Sequence, residues 1–170
     1  MFHHLEYGKT TILRDLIRKI STGIEKLEFK GINVGLVDER GEIAAMYKGI
    51  PQNDVGIRTD VLDNIPKAIG MRMLIRSMSP KVISADEIGN ENEIESINYA
   101  ICSGVKGIFT AHGGSLEEIS INPTLKALLK LHAFERIIFL SDKQKKAEIE
   151  KVYALNRKTT EYIVMEWSLC

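Results

Sequence analysis

The sequence predicts an α/β fold built on a mostly parallel sheet with helices on both faces. Short apolar runs at residues 33–38, 82–85, 105–110 and 135–140 are bounded by polar or turn residues, as buried strands are. Stretches with apolar residues at helical spacing lie between them. A length of 170 residues fits one domain with a sizeable core.

The first helix opens at Gly8-Lys9-Thr10-Thr11. Ile12, Leu13, Leu16, Ile17 and Ile20 recur on one face, and Gly23 marks its end. Asn33-Val-Gly-Leu-Val-Asp38 is the first strand. Glu39 to Asp63 is rich in Gly, Pro, Asn and charge with weak periodicity, an irregular length of chain that is usually functional. Pro66 starts a helix through Ile69, Met73, Leu74 and Ser77. Val82 to Ala85 is a strand, and Glu91 to Cys102 is a helix with Ile94, Ile97 and Ile101 on one face. Val105 to Thr110 is a strand leading into His112-Gly113-Gly114-Ser115, where Ser115 and Glu118 have capping-box spacing. Pro123 opens a helix through Leu125, Leu128 and Leu129, and Glu135 to Leu140 is a fourth strand. The tail predicts a charged helix over Lys143 to Tyr153 and a strand over Tyr162 to Trp167.

Lys+Arg and Asp+Glu are equal at 23 each. That balance, with no basic stripe, disfavours nucleic acid as a partner. No apolar stretch approaches the roughly 20 residues of a membrane helix, and the start lacks the apolar core of a secretory signal. Cys102 and Cys170 form no metal or redox spacing, so a reducing, cytoplasmic setting is expected. Residues 1–7, beginning Met-Phe-His-His-Leu-Glu, read as an appended or altered N-terminus.

Two motifs carry chemistry. Asp86 and Glu87 sit where the apolar run Val82–Ala85 ends. In a nucleotide-hydrolysing site the first such carboxylate helps hold hydrated Mg²⁺ and the second activates a water. Strands often end in acids, so the pair gains weight from Gly8, Lys9 and Thr10. These match the closing half of a phosphate-binding loop, with Lys9 for the outer phosphates, Thr10 for Mg²⁺ and a helix dipole behind them. The opening half is absent: His3 occupies the first Gly position, followed by His4, Leu5, Glu6 and Tyr7. A Glu6 carboxylate about 4 Å from a phosphate charge would cost roughly 4 kcal/mol at an effective dielectric near 20. That is about a thousandfold in binding. No strand-like run precedes Gly8.

His112 leaves a strand end before two glycines, a place suited to sensing a γ-phosphate; the alternative is a loop histidine bonded to a backbone carbonyl. Arg40, Arg58 and Arg76 are candidates for an arginine finger acting across a subunit boundary, although most arginines are solvated surface charges. Met71, Met73 and Met78 read as core filler, His132 as structural, and Lys143, Lys145 and Lys146 as a solvated helix face.

Together Gly8-Lys-Thr-Thr-Ile-Leu-Arg-Asp15, Val37-Asp-Glu-Arg-Gly-Glu-Ile43, the long string Gly49 to Asp63, Met73 to Pro80, Asp86-Glu-Ile-Gly89 and Thr110-Ala-His-Gly113 resemble the stage III sporulation protein AA family. The resemblance runs from about Gly8 to about Leu140. That family is similar to the ring-forming ATPases of type II and type IV secretion systems. The resemblance implies a RecA-like P-loop NTPase, a three-layer sandwich with a mostly parallel sheet, here lacking its first strand and the start of the P-loop. It divides the chain into residues 1–7, an ATPase core over 8–141 and an extension over 142–170, with Tyr162 to Trp167 a candidate to fill the missing strand's slot. It implies ATP and Mg²⁺ as cofactors and an ATP-hydrolysing motor subunit of a mother-cell-to-forespore channel. Partners would be further copies in a ring, with a hexamer as the expected size, and channel membrane proteins. By position, Gly8, Lys9, Thr10 and Thr11 would be the surviving Walker A residues, and Asp86 and Glu87 Walker B. His112 would match the histidine box, and Asp38, Glu39 and Glu42 the acidic box. The missing glycines and Glu6 support an alternative, a non-catalytic assembly module.

Overall fold

The structure is a computed structural model that describes residues 8–141 and 148–165. The described residues form two compact units: Thr10–Ala111, and those before Thr10 together with those from His112 onward.

In the first unit, helix α1 (Lys9–Thr22, its first residue counted with the other unit) leads through a 3₁₀ turn (Glu25–Leu27) to strand β1 (Val34–Asp38). A short hairpin, β2 (Met46–Tyr47) and β3 (Ile50–Pro51), precedes β4 (Thr59–Asp63). Helix α2 (Lys67–Met78), strand β5 (Val82–Ala85), helix α3 (Glu91–Cys102) and strand β6 (Lys106–Phe109) follow. Strands β4, β1, β5 and β6 lie side by side in that order, all parallel. The register aligns Val37 with Leu62 and Ala85, so β1, β4 and β5 end level with one another.

Every residue of β1 is buried because both faces are covered. Val34 and Leu36 point one way, into a cluster with Leu13 and Ile17 of α1, Ile43, Ala44, Val55 and Val82. Gly35 and Val37 point the other way, toward α2. A Cβ at Gly35 would lie 3.3 Å from Leu74, and one at Gly70 only 2.7 Å from Val37. Small residues here let helix and strand backbones approach closely. Helix α3 opens with a full capping box, Asn90 with Glu93.

The second unit contains α4 (Leu116–Ile119), α5 (Pro123–Lys130) and an antiparallel sheet of β7 (Arg136–Leu140), β8 (Ile149–Asn156) and β9 (Glu161–Val164), in that order. Phe139 and Tyr153 meet edge to face across it, with ring centroids 5.7 Å apart.

Several sequence expectations change. The strand at 135–140 forms, but joins the antiparallel sheet rather than the parallel one. Residues 149–153, expected as helix, belong to β8, where Val152 and Tyr153 pair with Ile138 and Ile137 and override local charge patterning. Lys143, Lys145 and Lys146 lie outside the described residues. Residues 162–164 form part of β9 and pair with β8, so this segment fills no slot in the parallel sheet; Trp167 is outside the described residues. The stretch from Glu39 to Asp63 is not wholly irregular, since Thr59–Asp63 is a strand of the main sheet. Met71 is buried, but Met73 and Met78 are about half exposed. His132 lies past the end of α5 with φ 50°, exposed.

Gly70→Ala tests the close packing of α2 on β1. Alanine favours a helix over glycine by about 1 kcal/mol, yet a methyl here meets the stiff Val37 side chain, and overpacking costs about 1–3 kcal/mol. Net destabilisation is expected in urea unfolding; a more stable variant would refute the tight contact.

Candidate nucleotide-binding site

Asp38 ends β1 with its side chain wholly buried. Its Oδ1 accepts from the Glu42 and Ile43 amides (3.0 and 3.2 Å), and its Oδ2 from the Ile43 and Ala44 amides (3.2 and 2.8 Å). Backbone donors thus replace the water that burial takes from this carboxylate. Of the residues matched to an acidic box, Asp38 is thus engaged in anchoring its own loop. Glu39 is half-buried beside Lys67, and Glu42 is exposed.

Level with it, β5 ends at Ala85 and is followed by Asp86 and Glu87. Ligands bind at such carboxyl ends of parallel strands. Asp86 is 2% exposed, and its Oδ2 finds no hydrogen-bond partner among the described residues. Burial pushes its pKa up; Lys67 opposes that shift, while Asp38, Glu42 and Glu87 add to it. Glu87 has φ 43°, and its Oε2 accepts from Arg40 Nη1 at 2.6 Å. The Glu87 carboxylate in turn holds the Arg40 pKa above its ordinary value.

Lys67, in the first turn of α2, was missed in the sequence. Its ammonium lies 3.2 Å from Glu39 Oε2 and 3.7 Å from Glu93 Oε1, and donates to the Glu87 carbonyl at 3.1 Å. A lysine at a helix N-terminus opposes the macrodipole, which is the signal that carboxylates stand nearby. Thr110 was also missed: its hydroxyl accepts from the Glu87 amide at 2.8 Å.

In the second unit, Lys9 Nζ lies 3.3 Å from His112 Nδ1. Gly8 has φ 78°, a left-handed turn into α1, which has no acid in its first turn. Thr10 is half-buried and Thr11 exposed in that same turn. Two hydroxyls at a positive helix end suit an anion. Residues 3–7, including Glu6, are outside the described residues. Ser115 caps α4 as its spacing implies, with the Glu118 amide donating to its hydroxyl; Glu118 reaches the Gly114 amide, one residue before the cap. Of the remaining arginines, Arg58 Nη1 donates to the Ser21 carbonyl at 3.0 Å, capping the C-terminal end of α1, and Arg76 is exposed on the last turn of α2.

The donor set fits Mg²⁺ in one respect: Asp86 offers a hard, unsatisfied oxygen. No group of three or more His, Cys, Asp or Glu side chains able to hold a metal occurs among the described residues. Mg²⁺ commonly takes one or two carboxylates and completes its shell with water and substrate phosphates, so one such oxygen suffices.

The raised Asp86 pKa means that the folded state binds a proton more tightly than the unfolded chain. Its stability therefore falls as pH rises from the unfolded value through the folded one. Asp86→Asn is expected to stabilise the chain near neutral pH by on the order of 1 kcal/mol, with the gain shrinking toward pH 4. Thermal melts across pH test this; a gain independent of pH would contradict it.

The family described as sporulation stage III, protein AA matches residues 4–160. Stage III sporulation protein AA of Bacillus subtilis (strain 168) is 44% identical over 146 residues, covering 86% of this chain and 47% of that protein. The chain thus spans about half the length of that relative. The protein ycf45 of Porphyra purpurea is 33% identical over 125 residues, covering 72% of this chain and 21% of its own length. Among solved structures, the Legionella pneumophila ATPase DotB superposes with a TM-score of 0.62 at 14% identity, covering 91% of this chain and 44% of that one. The VirB11 ATPase of the Brucella suis type IV secretion system, crystallised with sulphate, gives 0.57 at 16% identity, covering 88% and 45%. The chain therefore shares the α/β fold of these two secretion ATPases, and it belongs to the stage III sporulation protein AA family.

Proposed function

We propose that this chain is the nucleotide-hydrolysing part of a motor subunit that energises a secretion-type channel during sporulation. The observation that carries the reading is the buried Asp86, with its orphan oxygen, beside Glu87 at the carboxyl end of a central parallel strand. Likeness in fold to two secretion ATPases supports the nucleotide class, and family membership supports the sporulation setting.

In this reading Gly8, Lys9, Thr10 and Thr11 receive the phosphates of ATP at the start of α1, with Lys9 neutralising the outer oxygens. The Thr10 hydroxyl and Asp86 hold hydrated Mg²⁺, which when bound supplies charge neutralisation to the transferring phosphoryl group. Glu87 orients a water and accepts its proton. His112, in contact with Lys9, reports on the γ-phosphate, and Glu39 sets the acidic field together with Lys67. Copies assemble as a ring, with Arg40, Arg58 and Arg76 as the candidates to reach a neighbour's nucleotide. Arg58 is the weakest of these, because it caps α1. No helix among the described residues is long and apolar enough to cross a membrane, which is consistent with a subunit on the mother-cell side that meets the membrane through channel proteins.

Binding of a fluorescent ATP analogue with Mg²⁺, alongside Lys9→Ala, is the first test. Micromolar binding lost in the variant is expected, and Glu87→Gln should lower turnover by about 10²–10⁴-fold while sparing binding. Full turnover in Glu87→Gln would remove its role as base. A folded chain that binds no nucleotide would instead support an assembly module, and light scattering unchanged by Mg-ATP would then be expected.

A further inference from the structure

We propose that Thr110 and Lys67 are positioning residues for Glu87, holding it in a left-handed backbone conformation and so fixing where its carboxylate lies. The catalytic part of this proposal rests on the hydrolytic reading above.

Glu87 has φ 43°, a conformation disfavoured for any residue with a Cβ and usually left to Gly or Asn. Such a backbone persists only where its surroundings over-determine it. Here they do so from both sides of the residue. The Glu87 amide donates to Thr110 Oγ1 at 2.8 Å, and the next amide, Ile88, donates to the Thr110 carbonyl at 2.8 Å. The Glu87 carbonyl accepts from Lys67 Nζ at 3.1 Å. Lys67 is itself anchored: its side chain is 8% exposed, with Glu39 at 3.2 Å and Glu93 at 3.7 Å. Glu93 is fixed in turn by accepting the Gly89 and Asn90 amides at 2.7 and 3.0 Å. The ends of β5 and β6 and the starts of α2 and α3 thus converge on one residue. Arg40, on the carboxylate itself, is more than half exposed and is no part of the backbone hold.

Release of the hold would let the backbone turn into an ordinary well and swing the carboxylate with it. Misplacement of a reacting group by about 1 Å can cost around a hundredfold in rate. Neither positioning side chain needs to touch nucleotide for this to follow.

Thr110→Val keeps volume and removes the hydroxyl; Thr110→Ser keeps the hydroxyl. Two readouts on this chain separate the hold from its consequence. Amide hydrogen exchange at Glu87, followed by NMR, is expected to quicken by about tenfold or more in Thr110→Val and to stay near the original in Thr110→Ser. ATP turnover is expected to fall by about ten- to a hundredfold in Thr110→Val with KM within about twofold, to recover in Thr110→Ser, and to change little when Thr110→Val is added to Glu87→Gln. Unchanged exchange at Glu87 overturns the hold. If Thr110→Val costs the same fraction of turnover with Glu87 intact as in the Glu87→Gln background, positioning gives way to a general structural role. Quickened exchange in a chain whose original form hydrolyses no ATP upholds the hold and sinks the hydrolytic reading. Lys67→Met strips the counter-charge from two carboxylates and risks unfolding, so Lys67→Arg, with the ammonium's charge retained and expected to keep Glu87 exchange slow, is its control.

Discussion

The carboxylate of Asp38 is the constraint on which the site depends. It is a buried group whose oxygens are taken up by three consecutive backbone amides, those of Glu42, Ile43 and Ala44. This turns the chain sharply at the end of β1 and drives Ile43 and Ala44 into the core beside Leu13 and Val55. The same loop is gripped from outside by Arg14, which donates to the Ile43 and Glu42 carbonyls, and by the Asn53 side chain on the Ile43 carbonyl. Glu39 and Arg40 are consequences of that turn. Between the strand end and the first anchored amide they are placed where one meets Lys67 and the other meets Glu87.

A second constraint is charge. Asp38, Glu39, Asp86, Glu87 and Glu93 gather around the ends of β1 and β5, and such a group is tolerable only with compensation. Asp38 is compensated by amides, Glu93 by the cap of α3 and by Lys67, and Glu87 by Arg40. Asp86 is the member left with an oxygen unmet among the described residues. Buried ion pairs add little net stability, because desolvation offsets attraction. The network fits better as a device for holding geometry than as a source of cohesion.

The parallel layer was legible in the sequence because each of its strands at 34–38, 82–85 and 106–109 is a short apolar run between turn signals, and because Lys9 to Thr22 keeps a strict helical period. Thr59–Asp63 escaped because its five residues are each only half-buried and two of them, Asp60 and Asp63, are acids. Residues 149–156 escaped for the opposite reason: local charge suggested a helix, whereas pairing with Arg136–Leu140 decides the matter at long range. At the site, Asp86, Glu87, Lys9 and His112 could be singled out by residue type and position. Lys67 and Thr110 could not, because their importance lies in what they touch across the sheet. The Asn90–Glu93 cap of α3 was not singled out either. Nothing in that spacing tells that Glu93 would also face a buried ammonium.

The left-handed backbone at Glu87 has an evolutionary corollary. Were the position free to drift under pressure for abundance alone, Gly or Asn would be expected there, since Gly accepts this φ without penalty and Asn at less cost than Glu. A glutamate in that seat carries a backbone cost that Gly would not. Residue 87 is therefore where a lineage that had abandoned the chemistry of this site would be expected to show it first.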